Sequence, residues 1–145
     1  MNRKKVLFVC IHNSARSQMA EAFLNQLGSD LFIAESAGLF PGQVNPAIVV
    51  ALKEIGIDIS HKFTQTVQQV LQSGKQFDYV ITVCDQASSE LCPVFPGKAT
   101  QRLHWGFRDP TACMGTAIDR MNFTREIRDE IKAKIQQFVL ENRKK

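Results

Sequence analysis

The sequence is poor in the features that mark nucleic-acid-binding and membrane proteins. With one tyrosine and one tryptophan among 145 residues, it offers few platforms on which single-stranded bases could stack. No apolar run approaches the length of a membrane span. The net charge of +4 collects largely at the two ends, in Arg3-Lys4-Lys5 and Arg143-Lys144-Lys145, which is typical of solvated tails. We therefore expect neither a nucleic-acid partner nor a membrane partner, although the mild positive field favours a small anion.

The beginning of the chain also lacks the apolar core of a secretory signal. The basic residues are followed only by the short run Val6 to Ile11, and no small-residue cleavage site comes after it. We therefore expect a cytoplasmic protein. In that compartment an even number of cysteines indicates reactive thiols or a metal site rather than a disulfide framework. The four cysteines are Cys10, Cys84, Cys92 and Cys113.

Apolar periodicity predicts strands that alternate with helices. Short apolar runs predict strands over Val6–Val9, Leu31–Ala34 and Phe77–Val83, and a fourth strand is expected over Thr100–Trp105. Helical spacing and cap residues predict helices over Ser17–Leu27, Pro46–Ile55 (with Asn45 as N-cap) and Thr64–Gln72, and a last helix with Ile127, Ile131, Ile135 and Phe138 on one face. This alternation indicates an α/β fold with a parallel sheet, and the length suits a single domain over residues 1–145.

The loop after the first predicted strand has the composition of an oxyanion site. Its residues are Cys10, Ile11, His12, Asn13, Ser14, Ala15, Arg16 and Ser17. Backbone N–H groups between a strand end and a helix N-terminus converge on an anion, and the same field favours a thiolate. Arg16 is unfavourable at a helix N-terminus unless its guanidinium grips an anion there. We expect Ser17 to donate a hydrogen bond to Cys10 and Asn13 to hold the shape of the loop.

A plainer interpretation of the same residues is a small core cysteine with an arginine nearby by chance. The position of the loop weighs against it, because Cys10 and Cys84 both stand at the ends of predicted strands. In open parallel sheets, ligands bind beyond the carboxyl ends of the strands. The sequence therefore predicts a site at that edge of the sheet.

The Cys-x5-Arg-Ser motif after a first strand resembles the phosphate-binding loop of two groups that share one fold. These are the low-molecular-weight protein tyrosine phosphatases and the thioredoxin-coupled arsenate reductases. The segments that resemble arsenate reductases are Ser17–Ala22, Glu35–Gly38, Asn45-Pro46, Gly56–Ser60 and His104–Pro110. The resemblance implies a four-stranded parallel sheet flanked by helices. It also implies that Asp109 lies over the loop as general acid, whereas an aspartate before proline is otherwise interpreted as a turn residue.

The two groups share the attack of Cys10 on a tetrahedral oxyanion and differ in the fate of the covalent intermediate. Cys84 and Cys92 are similar to the relay pair of the reductases. If the strands that end at Cys10 and Cys84 are neighbours, their spacing of ~4.8 Å suits the ~4.4–6.8 Å between Cα atoms of a disulfide. The phosphatases resemble Asp-Pro-Tyr near the acid, whereas this chain has Asp109-Pro110-Thr111.

The resemblance therefore favours arsenate reduction through a Cys10/Cys84/Cys92 relay. The alternative is a low-molecular-weight protein tyrosine phosphatase that hydrolyses phosphomonoesters through a Cys10 thiophosphate. A non-catalytic oxyanion sensor on this fold remains a third possibility, although such a sensor would need neither Asp109 nor the second and third cysteines. Ala15 departs from the family pattern, because the phosphatases and many reductases carry a second cysteine in the loop.

The resemblance also implies the partners of the protein. It predicts no bound cofactor, arsenate as substrate with phosphate or sulfate as analogues, a monomer, and electrons from thioredoxin or from glutaredoxin with glutathione. Some family members hold a potassium ion near positions that match Asn13, Glu21 and Ser36, with an acidic residue at the position of Gln65. Because Gln65 is neutral, we predict no metal. A zinc site made of Cys84, Cys92, His104 and Cys113 is disfavoured by the lack of a C-x-x-C motif.

The sequence between Cys84 and Cys92 predicts a conformational switch. Residues Gln86 to Leu91 have helical character, and Pro93 would end a helix just after Cys92. A helix over this span separates the two cysteines by ~12 Å along its axis, which exceeds the ~7 Å between Cα atoms that a disulfide can bridge. Formation of the Cys84–Cys92 disulfide would then require the segment to unwind.

Overall fold

The computed structural model describes residues 2–85 and 95–144. In chain order, its elements are β1 (Lys4–Cys10), α1 (Arg16–Leu27), β2 (Phe32–Gly38), α2 (Pro46–Lys53), α3 (Val67–Gln72), β3 (Phe77–Thr82), β4 (Ala99–His104), a short 3-10 helix (Pro110–Ala112) and α4 (Ala117–Arg143). Every strand and helix that the sequence predicts within the described residues is present, and the differences concern their ends.

Two of those ends have clear physical causes. β2 does not end at Ala34, because its backbone continues to pair with β1 as far as Cys10 opposite Gly38. The prediction that the third helix begins at Thr64 is wrong. Thr66 is instead its N-cap, and the Thr66 and Gln69 side chains each bond the other residue's backbone N–H in a capping box.

The sheet is parallel throughout, with the strand order β2-β1-β3-β4. The central strand β1 is buried from Val6 to Cys10, as expected for a strand covered on both faces. The edge strand β4 is mostly exposed and carries polar residues. The predicted α/β fold with a four-stranded parallel sheet is confirmed.

Helices cover both faces of the sheet. On one face, Val6 and Phe8 of β1 pack with Phe23 of α1 and Ile131 of α4 in the larger apolar core. On the other face, Leu7 and Val9 belong to a smaller core with Val67 and Val70 of α3. Complete burial of a side chain such as Phe8 stabilises the fold by roughly 1.5–3 kcal/mol. The alternation of side chains along β1 thus fixes which helices lie on which face.

The long helix α4 packs in the larger apolar core and contacts α1 and α2. Ile127, Ile131 and Ile135 are fully buried, in agreement with the predicted apolar face. Arg128 of α4 donates to the carbonyl of Ala51 at 2.9 Å and so connects this helix with α2. Within the described residues, no helix combines the length and the apolar character needed to cross a membrane.

Candidate active site

Cys10 is the last residue of β1, and the chain turns from it directly into α1. The turn depends on Asn13, which is the one non-glycine residue with a positive φ (58°) in the described part of the chain. Asparagine tolerates this left-handed conformation better than most residues. As a result, the backbone N–H of Asn13 points back into the loop and donates to the sulfur of Cys10 at 3.1 Å.

A second donor reaches the same sulfur from Ser17. The Ser17 hydroxyl lies 2.8 Å from the Cys10 sulfur. The side-chain amide of Asn13 donates to this hydroxyl oxygen at 2.9 Å, which leaves the hydroxyl proton for the sulfur. Hydrogen bonds from donors to a sulfur favour its thiolate form. Cys10 is only 4% exposed, so these donors act away from most of the competing water.

Arg16 is buried at the first position of α1, with 6% of its surface exposed. Its Nη1 donates to the carbonyl of Phe107 at 3.0 Å. This bond fixes the orientation of the guanidinium and ties the loop to the segment that precedes Asp109. A planar guanidinium held beside a loop of backbone N–H groups is suited to grip a tetrahedral oxyanion.

Residues outside the loop hold it in place, and sequence reasoning did not assign them this role. The side-chain oxygen of Asn13 accepts from Gln18 Nε2 at 3.1 Å and from the backbone N–H of Gln65 at 3.0 Å. The end of β2 lies so close that a Cβ on Gly38 would be 2.6 Å from the Asn13 nitrogen. Glycine is therefore required there. The only signal in the sequence was the position of Gly38 in a segment that resembles the reductases.

The residues of the loop differ in burial. Asn13 and Ala15 are buried, Ile11 and Ser14 are partly buried, and His12 is exposed. The His12 ring lies 6.0 Å from the ring of Phe40, centroid to centroid, and Phe40 is half exposed.

The one tyrosine of the chain stands apart from this loop. Tyr79 is buried in β3, and its hydroxyl donates to Asn142 at 3.3 Å. Tyr79 therefore does not line the candidate site as an aromatic surface for phosphotyrosine.

Cys84 follows β3, the strand that lies beside β1. Val9 is opposite Thr82 in the register, and the N–H of Val83 donates to the carbonyl of Val9 at 3.0 Å. Cys84 thus stands one position beyond the residue opposite Cys10, and it is fully buried. The condition under which the strand spacing suits a Cys10–Cys84 disulfide is therefore met, because β1 and β3 are neighbours.

The cysteines differ in bonding. Cys84 is disulfide-bonded, whereas Cys10 and Cys113 are free thiols. The disulfide of Cys84 therefore involves neither of them. Cys92 and the predicted helical segment Gln86 to Leu91 lie outside the described residues, so the predicted switch stays a prediction.

Asp109 caps the short 3-10 helix that comes after it. Its Oδ1 accepts from the backbone N–H of Thr111 at 2.9 Å and from the Thr111 hydroxyl at 2.8 Å. The plain interpretation of Asp109 as a turn residue therefore describes its local role. The Arg16 bond to Phe107 connects this segment to the loop. The role of Asp109 as general acid stays a prediction.

The residues at the potassium position of the family do not fit a resident cation. Glu21 forms an ion pair with Lys62, so a fixed ammonium already neutralises this carboxylate. At the position of the family's acidic residue, the Gln65 side chain donates its amide N–H to the carbonyl of Ser36 at 2.9 Å. A cation here would meet an ammonium and an amide donor instead of a second carboxylate.

Two of the four residues weighed as zinc ligands have other partners. Cys84 is in a disulfide and cannot bind zinc as a thiolate, and Nδ1 of His104 lies 2.6 Å from the Thr82 hydroxyl. Residues 2–85 and 95–144 contain no group of three or more histidine, cysteine or acidic side chains placed to hold a metal.

Comparison with known proteins agrees with this geometry. Residues 5–145 match the family model described as low molecular weight phosphotyrosine protein phosphatase. The chain is 41% identical over 139 residues to an arsenate reductase of Halalkalibacterium halodurans, covering 96% of this chain and 97% of the relative. An arsenate reductase of Bacillus subtilis is 37% identical over 139 residues, with the same coverage of both chains, 96% and 97%.

The chain is also similar to solved structures of arsenate reductases. A crystal structure of arsenate reductase from Archaeoglobus fulgidus has a TM-score of 0.75 at 31% identity, covering 92% of this chain and 98% of the other. A structure described as an arsenate reductase in the phosphate binding state has a TM-score of 0.75 at 31% identity, covering 95% and 98%. A thioredoxin-dependent arsenate reductase of Corynebacterium glutamicum has a TM-score of 0.66 at 29% identity, covering 97% of this chain and 62% of the other.

Proposed function

The chain belongs to the low-molecular-weight phosphotyrosine protein phosphatase family, and we propose that within this family it reduces arsenate to arsenite. The resemblance inferred from the loop motif is thereby confirmed at the level of the family. The observation that carries the proposal is the placement of a second cysteine, Cys84, beside the buried Cys10 at the carboxyl ends of adjacent strands. A phosphatase needs the first cysteine only, whereas a reductase needs both.

In the first step, the oxyanion binds in the loop and Cys10 attacks the arsenic. The two donors to the Cys10 sulfur, Asn13 N–H and Ser17 O–H, keep it available as a thiolate. Arg16 and the backbone N–H groups stabilise the negative charge that develops on the oxygens. Asp109 protonates the departing oxygen, which leaves as water. The product is a covalent adduct with a bond between the Cys10 sulfur and arsenic(V).

In the second step, the thiolate of Cys84 attacks the Cys10 sulfur. A Cys10–Cys84 disulfide forms, the sulfur–arsenic bond breaks, and its electron pair leaves with the arsenic as arsenite. The neighbouring strands β1 and β3 support this step, because they hold the two residues at adjacent strand ends. Arsenic is thus reduced by two electrons, and two thiols are oxidised to one disulfide.

In the third step, Cys92 attacks Cys84 and releases the Cys10 thiolate. The resulting Cys84–Cys92 disulfide is then reduced by an external dithiol. The observation that Cys84 is disulfide-bonded while Cys10 is a free thiol is the pattern expected for the end of this relay. We propose thioredoxin as the reductant, by analogy with the thioredoxin-dependent relative from Corynebacterium glutamicum. Glutaredoxin with glutathione is the competing route.

The proposed chemistry also predicts the setting of the enzyme. The relay requires thiols that are reduced again after each turnover, so we expect the enzyme to work in the reducing cytoplasm with no bound cofactor. We also expect it to be a monomer. Phosphate and sulfate should bind the loop as unreactive analogues of arsenate. The relative described in a phosphate binding state supports this expectation.

Steady-state turnover tests the proposal against the phosphatase alternative. We expect arsenate-dependent NADPH oxidation when the enzyme is supplied with thioredoxin and thioredoxin reductase, with a parallel assay using glutaredoxin, glutathione and glutathione reductase. Hydrolysis of para-nitrophenyl phosphate should be much slower. Phosphate ester hydrolysis without arsenate-dependent NADPH oxidation in either assay would identify a phosphatase. Oxyanion binding without any turnover would identify a binding module.

A further inference from the structure

Glu21 is a buried carboxylate that the proposed reaction does not use. It lies on α1, is only 5% exposed, and accepts a hydrogen bond from the Ser36 hydroxyl at 2.7 Å through Oε1. A buried carboxylate is costly unless a positive charge accompanies it. Lys62 supplies this charge, since its ammonium pairs with Oε2 of Glu21. Oε1 of Glu21 thus has a hydrogen bond from Ser36, whereas buried Oε2 has no hydrogen-bond partner among the described residues and depends on the ion pair with Lys62.

This ion pair is connected to the nucleophile by an unbroken series of contacts. Ser36, which donates to Glu21, accepts from the side-chain amide of Gln65 at 2.9 Å through its own carbonyl. The backbone N–H of Gln65 donates to Asn13 Oδ1 at 3.0 Å. Asn13 in turn donates to the Cys10 sulfur at 3.1 Å.

The segment that carries Lys62 and Gln65 has little apolar packing of its own. Phe63 is 89% exposed, although its carbonyl accepts from Gln18 at 3.3 Å, and Gln18 also donates to Asn13. The segment is therefore held against the loop chiefly by polar contacts. Among these polar contacts, the ion pair between Lys62 and Glu21 is the one between two charged groups.

We propose that Lys62 is a positioning residue for the oxyanion loop, with its ammonium acting as a built-in counter-ion of Glu21. The pair holds Gln65 where it supports Asn13, and Asn13 then presents its N–H to the Cys10 sulfur. Because the ammonium is tethered to the chain, the same charge that neutralises Glu21 also fixes the segment that carries Gln65. This inference deepens the proposed function and rests on the same oxyanion loop.

A pair of matched variants tests the role of Lys62. Lys62→Met removes the ammonium but keeps a long side chain, and Lys75→Met removes the same charge nearby. Lys75 is a stringent control for charge in the same neighbourhood. It pairs with Glu35 at 3.0 Å and is more exposed than Lys62, and Glu35 accepts only a long bond of 3.5 Å from Gln65. Lys62→Arg should preserve the function, and Lys62→Gln provides a second uncharged variant if Lys62→Met does not fold.

The readouts are phosphate affinity by calorimetry and the rate of Cys10 alkylation, neither of which needs arsenate turnover. We expect Lys62→Met to weaken phosphate binding by about 2- to 30-fold, the range for a residue that acts through others. Alkylation of Cys10 near neutral pH should slow in parallel. Lys62→Arg and Lys75→Met should behave like the wild type. A wild type that binds phosphate but reduces no arsenate would refute the proposed function and leave this test valid.

Chemical rescue separates a counter-ion from a general structural role. Ammonium or potassium chloride should restore phosphate affinity to Lys62→Met, whereas tetramethylammonium chloride at the same ionic strength is too bulky to enter and should not. The wild type should respond to none of these salts beyond ionic strength. The proposal is overturned if folded Lys62→Met binds phosphate like the wild type, if Lys75→Met loses affinity equally, or if all three salts act alike.

Discussion

The Ser17 hydroxyl lies 2.8 Å from the Cys10 sulfur and accepts from the Asn13 side chain at 2.9 Å. Because the hydroxyl oxygen accepts from Asn13, its own proton is directed to the sulfur. The nucleophile is therefore held by two donors before any substrate binds, a backbone N–H and a serine O–H. The loop therefore directs donors at the sulfur itself, in addition to the backbone N–H groups that suit an oxyanion.

Replacing Ser17 should make Cys10 less reactive toward electrophiles. Ser17→Ala removes one hydrogen bond to a charged sulfur, and such bonds contribute ~1.5–3 kcal/mol, so alkylation by iodoacetamide near pH 6.5 should slow by about tenfold or more. The free thiol of Cys113 provides an internal reference for the intrinsic rate. Equal Cys10 rates in the wild type and Ser17→Ala would show that the hydroxyl does not hold the thiolate.

Replacing Arg16 by lysine should impair oxyanion binding even though the charge is kept. A planar guanidinium makes two parallel bonds, whereas an ammonium acts as a point charge. Lysine also loses the fixed geometry of the bond from Nη1 to the Phe107 carbonyl. We expect arsenate kcat/KM to fall about tenfold or more, which corresponds to ~1.4 kcal/mol and upward. Arg143→Lys, at the far end of α4, is the matched control, and equal kinetics for both variants would exclude a binding role.

Replacing Asp109 by asparagine separates its chemical role from its structural role. The asparagine oxygen can still accept from Thr111, so the 3-10 helix cap survives, but the side chain cannot donate a proton as a carboxylic acid does. Turnover should slow by about two to four orders of magnitude if Asp109 is the general acid. Phosphate affinity and thermal stability should remain close to those of the wild type. Wild-type turnover in Asp109→Asn across the pH range would show that Asp109 is not the general acid and that it only caps the 3-10 helix.

Glu54 should make the protein more stable at neutral pH than in acid. Hydrogen bonds and charge from Arg125, and then from Arg128, lower the pKa of the Glu54 carboxyl below its ordinary value of 4.5. A lowered folded-state pKa gives stability that is present above the unfolded pKa and is lost as the pH falls through the folded pKa. Glu54→Gln should therefore lower Tm at pH 7, and the difference should shrink below about pH 4.5. Exposed Glu141 provides the control variant Glu141→Gln, and a pH-independent difference for Glu54→Gln would contradict this account.

The parts of the site that could be predicted are those encoded within one short stretch of chain. Cys10, Arg16 and Ser17 belong to a single strand–loop–helix turn, so their relation follows from local structure. The support for that turn comes from the Phe107 carbonyl and the Gln65 backbone, which approach it only in the folded molecule. Main-chain contacts of this kind leave no trace in side-chain identity.

The fold shows the same distinction. Apolar runs predicted the cores of β1, β2 and β3, but the end of β2 at Gly38 depends on its pairing with β1, which a local pattern does not contain. The ion pair of Lys62 with Glu21 joins a loop to a helix, and nothing in either segment singles out its partner. Tertiary proximity decides both features.

If the enzyme's own thiols supply the electrons for arsenate reduction, a single turnover without external reductant should consume them. Pre-reduced enzyme, freed of added thiol, is mixed with excess arsenate, and arsenite and titratable thiols are counted. We expect one arsenite released and two thiols lost per enzyme, with a disulfide between Cys84 and Cys92 found by mass spectrometry. Cys113→Ser should match the wild type, and Cys84→Ser should release no arsenite. Arsenite release by Cys84→Ser at the wild-type level, or release with all thiols intact, would contradict the relay.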